Sequence, residues 1–357
     1  MIAAAARRPP GEGKLLVLRA DGQIDHARRG AWIEHLQHGD LVVANDAGTL
    51  PASLRGLHRR SGAAIEVRLA GHRRRDPFDV TELRALVFGD GDFRTPTEAR
   101  VPPPPLMRGD RLELGPLLAV VLGTLGHPRL VALRFEGTAT SIWEGIARHG
   151  RPVQYAHVPH PLEPWDVATP IAGLPVAFEA PSAGFILDWR TLGRLAERGI
   201  DFATITHAAG LSSTGDVDLD RRLPFDEAYR IPQRTAQLIA RVRQNGGRIV
   251  AIGTTVVRAL EHASTSAGGV SAGAGLATQR IGGHTRLWVV DALVSGTHEA
   301  GTSHFEMLRA FAEDATLYRA GAALDRYGYR THEFGDSMLV ERSRLGRSRG
   351  TAPRIAA

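Results

Sequence analysis

Residues 232–262 read PQRTAQLIARVRQNGGRIVAIGTTVVRALEH, and this stretch decides the fold. Pro232 suits the start of a helix, where its missing N–H breaks no bond. Ala236, Ile239, Ala240 and Val242 follow helical spacing, so one face can be buried. Asn245-Gly246-Gly247 stops that helix, because glycine accepts the left-handed cap conformation. Residues 248–252, RIVAI, read as a short buried strand. Gly253-Thr254-Thr255 turns the chain, and 256–262 begins a second helix. Helix, strand, tight turn and helix make an α/β unit. Ligands of open α/β sheets bind beyond the carboxyl ends of the strands. Free N–H groups of the following helix can receive a carboxylate or phosphate there. Gly253, Thr254 and Thr255 are therefore candidate ligand contacts. The alternative is that one threonine merely caps the helix.

The flanking sequence extends this pattern. Residues 15–18 form a strand, and 24–27 pair back on it across the Asp21-Gly22 turn. Residues 32–36 read as a short helix. Residues 41–44, LVVA, form a second buried strand, and Asn45 and Asp46 follow it as binding candidates or turn caps. A strand at 175–179 leads into 180–184, APSAG, which supplies Ser182 and Gly184. Asp188 is the N-cap of an amphipathic helix over 188–198. A strand at 201–206 ends beside His207, and one at 287–293 precedes the run SGTHE at 295–299. Helices follow at 305–313 and 316–327, and THEFGD at 331–336 closes the domain.

Between 53 and 137 the pattern changes. Short β-like runs at 63–70, 85–89, 111–114, 117–122 and 130–135 are separated by Gly, Pro and Asp. That spacing predicts a small antiparallel barrel or sandwich. Residues 102–105 form a rigid proline loop, and 141–149 a helix. The expected fold class is a mixed α/β main domain, 1–56 plus 153–345, with an antiparallel β-barrel inserted at 57–152. The insert is expected to fold on its own. The opening MIAAAARRPPGEG reads as a disordered lead-in without a signal-peptide core, and 346–357 as a disordered tail.

Composition narrows the function. The 357 residues suit about two domains, and 43% hydrophobic content supports a sizeable core. There is no cysteine, which excludes disulfides, thiolate zinc sites, cysteine nucleophiles and cysteine-held clusters. The net charge is +6, carried by arginine with Lys14 the single lysine. Such a surface suits RNA, although an arginine-rich proteome gives the same excess. No apolar run reaches the ~18 residues of a membrane span. A cytoplasmic monomer is expected.

Five stretches carry a family resemblance: GDLVVANDAGTLPASLRG (39–56), EAPSAG (179–184), EAYRIPQRTAQLIARVRQNGGRIVAIGTTVVRALE (227–261), VVDAL (289–293) and YRTHEFGDSML (329–339). The chain resembles the S-adenosylmethionine:tRNA ribosyltransferase-isomerases, which make epoxyqueuosine in tRNA. The resemblance implies an α/β domain carrying an inserted β-barrel. It implies S-adenosylmethionine as ribosyl donor, tRNA as partner and no metal. The ribosyl group goes to the aminomethyl group of a 7-deazaguanine, and adenine and methionine leave. Such chemistry needs a base beside the sulfonium and donors to adenine, roles that histidine fills near neutral pH. His298, His207 and His332 are the catalytic candidates. Asn45, Asp46, Ser182, Gly184, Glu227, Gly253, Thr254, Thr255, Arg258 and Asp336 are the substrate-binding ones.

The chain also departs from the family. Asn-Asp-Thr-Arg reads Asn45-Asp46-Ala47-Gly48, Pro-Ala-Arg reads Pro51-Ala52-Ser53, and a family histidine becomes Ile186. Paired family histidines fall near Arg222 and Phe225. These losses motivate an alternative, a non-catalytic nucleotide- or RNA-binding protein on the same scaffold. Ser182 in Ala-Pro-Ser-Ala-Gly also echoes a nucleophile elbow, giving a serine-hydrolase reading with His298 or His332 and Asp336. His298 and His304 lie six apart, not the four a zincin helix needs, so their spacing predicts no metal.

Overall fold

A computed structural model describes residues 1–265, 269–299 and 301–343. The first strands are β1 (Lys14–Leu18), β2 (Ile24–Arg28) and β3 (Leu41–Asn45). The barrel strands follow: β4 (Ser53–His58), β5 (Ala63–His72), β6 (Glu82–Phe88), β7 (Arg111–Leu114), β8 (Leu117–His127) and β9 (Leu130–Phe135). The later sheet strands are β10 (Asp201–His207), β11 (Glu227–Ile231), β12 (Ile249–Ile252), β13 (Gly273–Ala277), β14 (Ala292–Gly296) and β15 (Ser337–Glu341). The main sheet has nine strands in the order β13-β11-β10-β3-β12-β14-β15-β1-β2. Its central four, β10, β3, β12 and β14, are parallel.

The continuous apolar runs of β3 and β12 follow from burial on both faces. Leu41, Val43, Ile249 and Ala251 pack with the helices Gln233–Gln244, Thr254–His262 and Asp314–Arg326. Val42, Ala44, Val250 and Ile252 face Trp32, Ile33 and Leu195 on the other side. Asp188 caps the helix Trp189–Glu197 as its sequence predicts, accepting from Thr191 N at 2.6 Å. The six barrel strands close on themselves. Ser53–His58 belongs to that wall, pairing with β5 and β7, so the wall begins ahead of residue 57.

Three expectations fail. The helix expected at 305–313 is Ser303–Leu308 and stops five residues early. The strand expected at 287–293 lies instead at Ala292–Gly296. Glu261 causes the offset: its carboxylate accepts the backbone N–H groups of Trp288, Val289 and Val290 at 2.7–3.0 Å and keeps them out of the ladder. The opening residues are also not a disordered lead-in. Ile2–Ala3 pairs with Arg330–Thr331, and Ala4 is buried. Arg7 donates to the carbonyl of Ala168 at 2.6 Å, and Arg8 to Asp336 at 2.8 Å. The tail expected at 346–357 lies outside the described residues. No helix among the described residues is long and apolar enough to cross a membrane.

Candidate active site

Parallel strands gather their carboxyl ends on one side of a sheet, and the side chains that follow them converge. Here β3 delivers Asn45, β10 delivers His207, β12 delivers Gly253 and β14 leads to His298. Because β15 runs antiparallel, pairing Ser337 with Gly296, the loop carrying His332 arrives at the same end.

His298 is partly buried, with Nε2 2.7 Å from Ser295 Oγ. Its ring stacks on His304 at a centroid distance of 4.7 Å and 11°. Burial first, then the nearby His304 and His332, push its pKa well below the ordinary value. That direction favours the neutral imidazole, which can donate or accept a hydrogen bond with a ligand. His304 is depressed too, by burial, and lies within electrostatic reach of Glu227 and Arg258.

His207 and Glu227 form the next group inward. His207 is fully buried, with Nε2 2.9 Å from Glu227. Glu227 also accepts from Gly210 N at 2.7 Å and from Arg258. Burial opposes its ionisation, but Arg258 and His207 outweigh that and hold the carboxyl at about 2. Arg258 also donates to the carbonyls of Phe225, Ala277 and Gln279. These groups serve as a buried brace, and only His207 Nδ1 in it has no partner. His207, expected as a catalytic group, thus exposes no surface to solvent and is engaged by Glu227.

The remaining expected residues divide. Asn45 clamps β3 to β10, bonding the backbone N and O of His207 and Ala47 N at 2.9–3.0 Å. Asp46 accepts from Thr206 Oγ1 at 2.7 Å. Gly184 packs tightly, since a Cβ there would lie 3.0 Å from Thr169. Asp336 accepts from Lys14 N and Arg330 N, both at 2.8 Å, and from Arg8. Among the described residues it bonds to no histidine, so the Ser182–His–Asp336 hydrolase arrangement does not assemble there. Gly253 has φ +98, which a side chain rarely tolerates. No side chain caps the helix Thr254–His262 that it opens. The N–H groups of Thr254 and Thr255 have no partner among the described residues.

Sequence reasoning missed four neighbours. Tyr155 donates its hydroxyl to Glu179, and the same oxygen lies 3.1 Å from the Ser213 carbonyl. Burial holds the Glu179 carboxyl up at about 7, against the hydrogen bonds from Tyr155 and Ser212. His157 Nε2 is 3.2 Å from Glu333 and its ring stacks on His332 at 4.3 Å. Glu179 and Glu333 sit inside the quoted EAPSAG and YRTHEFGDSML, so acids at strand ends were a usable signal. Tyr155 and His157 lie in an irregular loop that gives none. A hollow of about 250 Å³ lined by Arg243, Arg248, Asp291 and Arg342 lies at the opposite, amino end of the strands.

The fold and this site define a class: an α/β protein with a barrel insert and a histidine line at the carboxyl end of its parallel strands. The chain belongs to the family described as queuosine biosynthesis protein, which matches residues 1–340. Among curated relatives, the S-adenosylmethionine:tRNA ribosyltransferase-isomerase of Pelobacter propionicus is 32% identical, covering 93% of this chain and 94% of its own. That of Sorangium cellulosum is 33% identical, covering 94% of each. A crystal structure of S-adenosylmethionine tRNA ribosyltransferase from Thermotoga maritima aligns over 95% of both chains, with TM-score 0.49 and 24% identity.

Proposed function

We propose that the protein transfers and isomerises the ribosyl part of S-adenosylmethionine onto a 7-aminomethyl-7-deazaguanine base in tRNA, as a cytoplasmic monomer. The observation that carries this reading is the extent of the relationship, residues 1–340 of the chain. The geometry supports it. The uncapped helix at Thr254 offers N–H groups to an anionic group of the donor. His298, beside Ser295 with its pKa pushed down by burial, is the base or the hydrogen-bond donor to adenine. Arg73, Arg74 and Arg75 stand exposed together at the end of a barrel strand, where they suit a phosphate backbone.

The test is incubation with S-adenosylmethionine and precursor tRNA, reading released adenine and modified tRNA by mass spectrometry. His298→Ala should lower turnover about 100-fold or more, the usual scale for a lost proton-transfer group. His298→Gln should restore binding but not turnover. An alanine variant with full turnover removes His298 from the mechanism. Binding by the wild type without any adenine release supports the non-catalytic reading instead. The lost family histidines, such as the one replaced by Ile186, are what favour that second reading.

A further inference from the structure

Among the described residues one set of side chains gathers as metal ligands do: His157, His332 and Glu333. One ligand atom from each lies within 4.8 Å of the other two. Two ligands of a tetrahedral zinc-type ion, each about 2.0–2.1 Å from the metal, sit roughly 3.3 Å apart. The His157 Nε2–Glu333 Oε2 edge, at 3.2 Å, already has that span. The two imidazoles stack with centroids 4.3 Å apart and planes 28° from parallel. Closing the remaining edges takes roughly 1.5 Å of side-chain movement from 4.8 Å, together with a turn of the exposed His332 ring out of the stack so that both lone pairs meet at the ion.

The backbone supplies an independent sign. His332 is the one non-glycine residue described with positive φ, at 66°. Side chains persist there when the surrounding structure over-determines them, and such positions cluster at functional sites. The surroundings here do so. Gly335 N donates to the His332 carbonyl at 2.9 Å, and Asp336 ties the loop to Lys14 N and Arg330 N.

We propose that His157, His332 and Glu333 form a binding site for a divalent cation of the zinc type, with a fourth position open. Two imidazoles and one carboxylate leave that position to water or to a ligand oxygen. The nitrogen ligands favour zinc, cobalt or ferrous iron over magnesium and calcium, which take oxygen. The site borders the cleft, since the loop before β15 reaches the same sheet end as the loop that follows Gly296 and carries His298. It does not depend on the ribosyl-transfer reading.

The experiment uses untagged full-length protein, stripped with a chelator and titrated with Co²⁺ and then Zn²⁺. The expected result is one Co²⁺ per chain, with the intense visible absorption of a tetrahedral site, displaced by Zn²⁺. Glu333→Gln and His332→Asn should each weaken binding at least 10-fold. Asparagine tolerates the left-handed backbone, so His332→Asn keeps the loop, and near-ultraviolet circular dichroism checks this. His160→Ala, an exposed histidine nearby, should change nothing. His157→Cys should keep cobalt and add a thiolate charge-transfer band, unambiguous in a chain with no cysteine. No stoichiometric binding, binding unaffected by both Glu333→Gln and His332→Asn, or cobalt without the new band in His157→Cys would overturn the proposal.

Discussion

The outer face of the barrel wall and the open end of the α/β sheet both bury a carboxylate against arginine, with different results. In the barrel, Glu66 accepts from Arg68 and Ser53 at 2.7 Å and from Arg100, and both arginines lie 5.1 Å over the Phe88 ring. There one carboxylate on the wall is shared by Arg68 of the same strand and by Arg100 from the following loop. At the sheet end, Glu227 is shared between Arg258 and a histidine, with His304, His298 and His332 beyond it. Antiparallel neighbours send successive strand ends to opposite rims of a barrel. Parallel strands bring theirs to one edge. Topology therefore decides whether the same residue types make a closed staple or a line of proton-carrying groups.

The largest expected effect tests how separate the two regions are. We propose that the barrel is a folding unit only with its whole wall. A fragment of residues 57–152 lacks Ser53 to Gly56, which pair with Arg68, Val67, Glu66 and Ile65. It also loses Phe178, Leu211 and Phe225, which share the barrel's core cluster. That fragment should give a random-coil circular dichroism spectrum, and extending it back to residue 47 should recover β signal. A cooperative melt from 57–152 alone would show that the wall closes without β4.

Next in size is Glu227→Gln, which leaves Arg258 buried without its anion. Breaking such a pair costs about 3–5 kcal/mol, measurable by urea denaturation at pH 7. The pH dependence carries the sign. The Glu227 carboxyl is depressed to about 2 in the fold. Its contribution is complete above the ordinary carboxylate pKa of about 4.3 and is lost as pH falls toward 2. The gap between wild type and variant should therefore narrow below pH 4. A gap constant from pH 7 to 3 would mean that shape, not charge, sets the cost.

What the sequence shows and hides follows the same division. Local devices were legible: the Asp188 cap, the Gly253 turn and the β3 and β12 runs each depend on residues a few positions apart. The β14 offset was not, because Glu261 reaches 27 residues along the chain to take the Trp288 N–H. His207 and His298 were legible as strand-end histidines. Their roles were not, because burial against Glu227 and stacking on His304 are long-range facts. Tyr155 reaching Glu179 and His157 reaching Glu333 span 24 and 176 residues, beyond any spacing rule.

The smallest effect on stability is expected at Thr255, where two accounts of one turn separate. If its hydroxyl capped the helix, Thr255→Val would cost about 1 kcal/mol of stability. No side chain caps that helix, and Gly253 N is already taken by the Val294 carbonyl at 2.8 Å. Both threonines are half-buried, on the carboxyl side of β12, where a donor molecule would sit. Thr255→Val is nearly isosteric, so its melting temperature should match the wild type, within about 0.5 kcal/mol. Affinity for S-adenosylmethionine should fall by roughly 1 kcal/mol, about five-fold, as for one lost neutral hydrogen bond. Calorimetry of binding and thermal melts on the same samples decide it. A lowered melting temperature with unchanged affinity would return Thr255 to the capping role and leave the Gly253 turn as a structural joint.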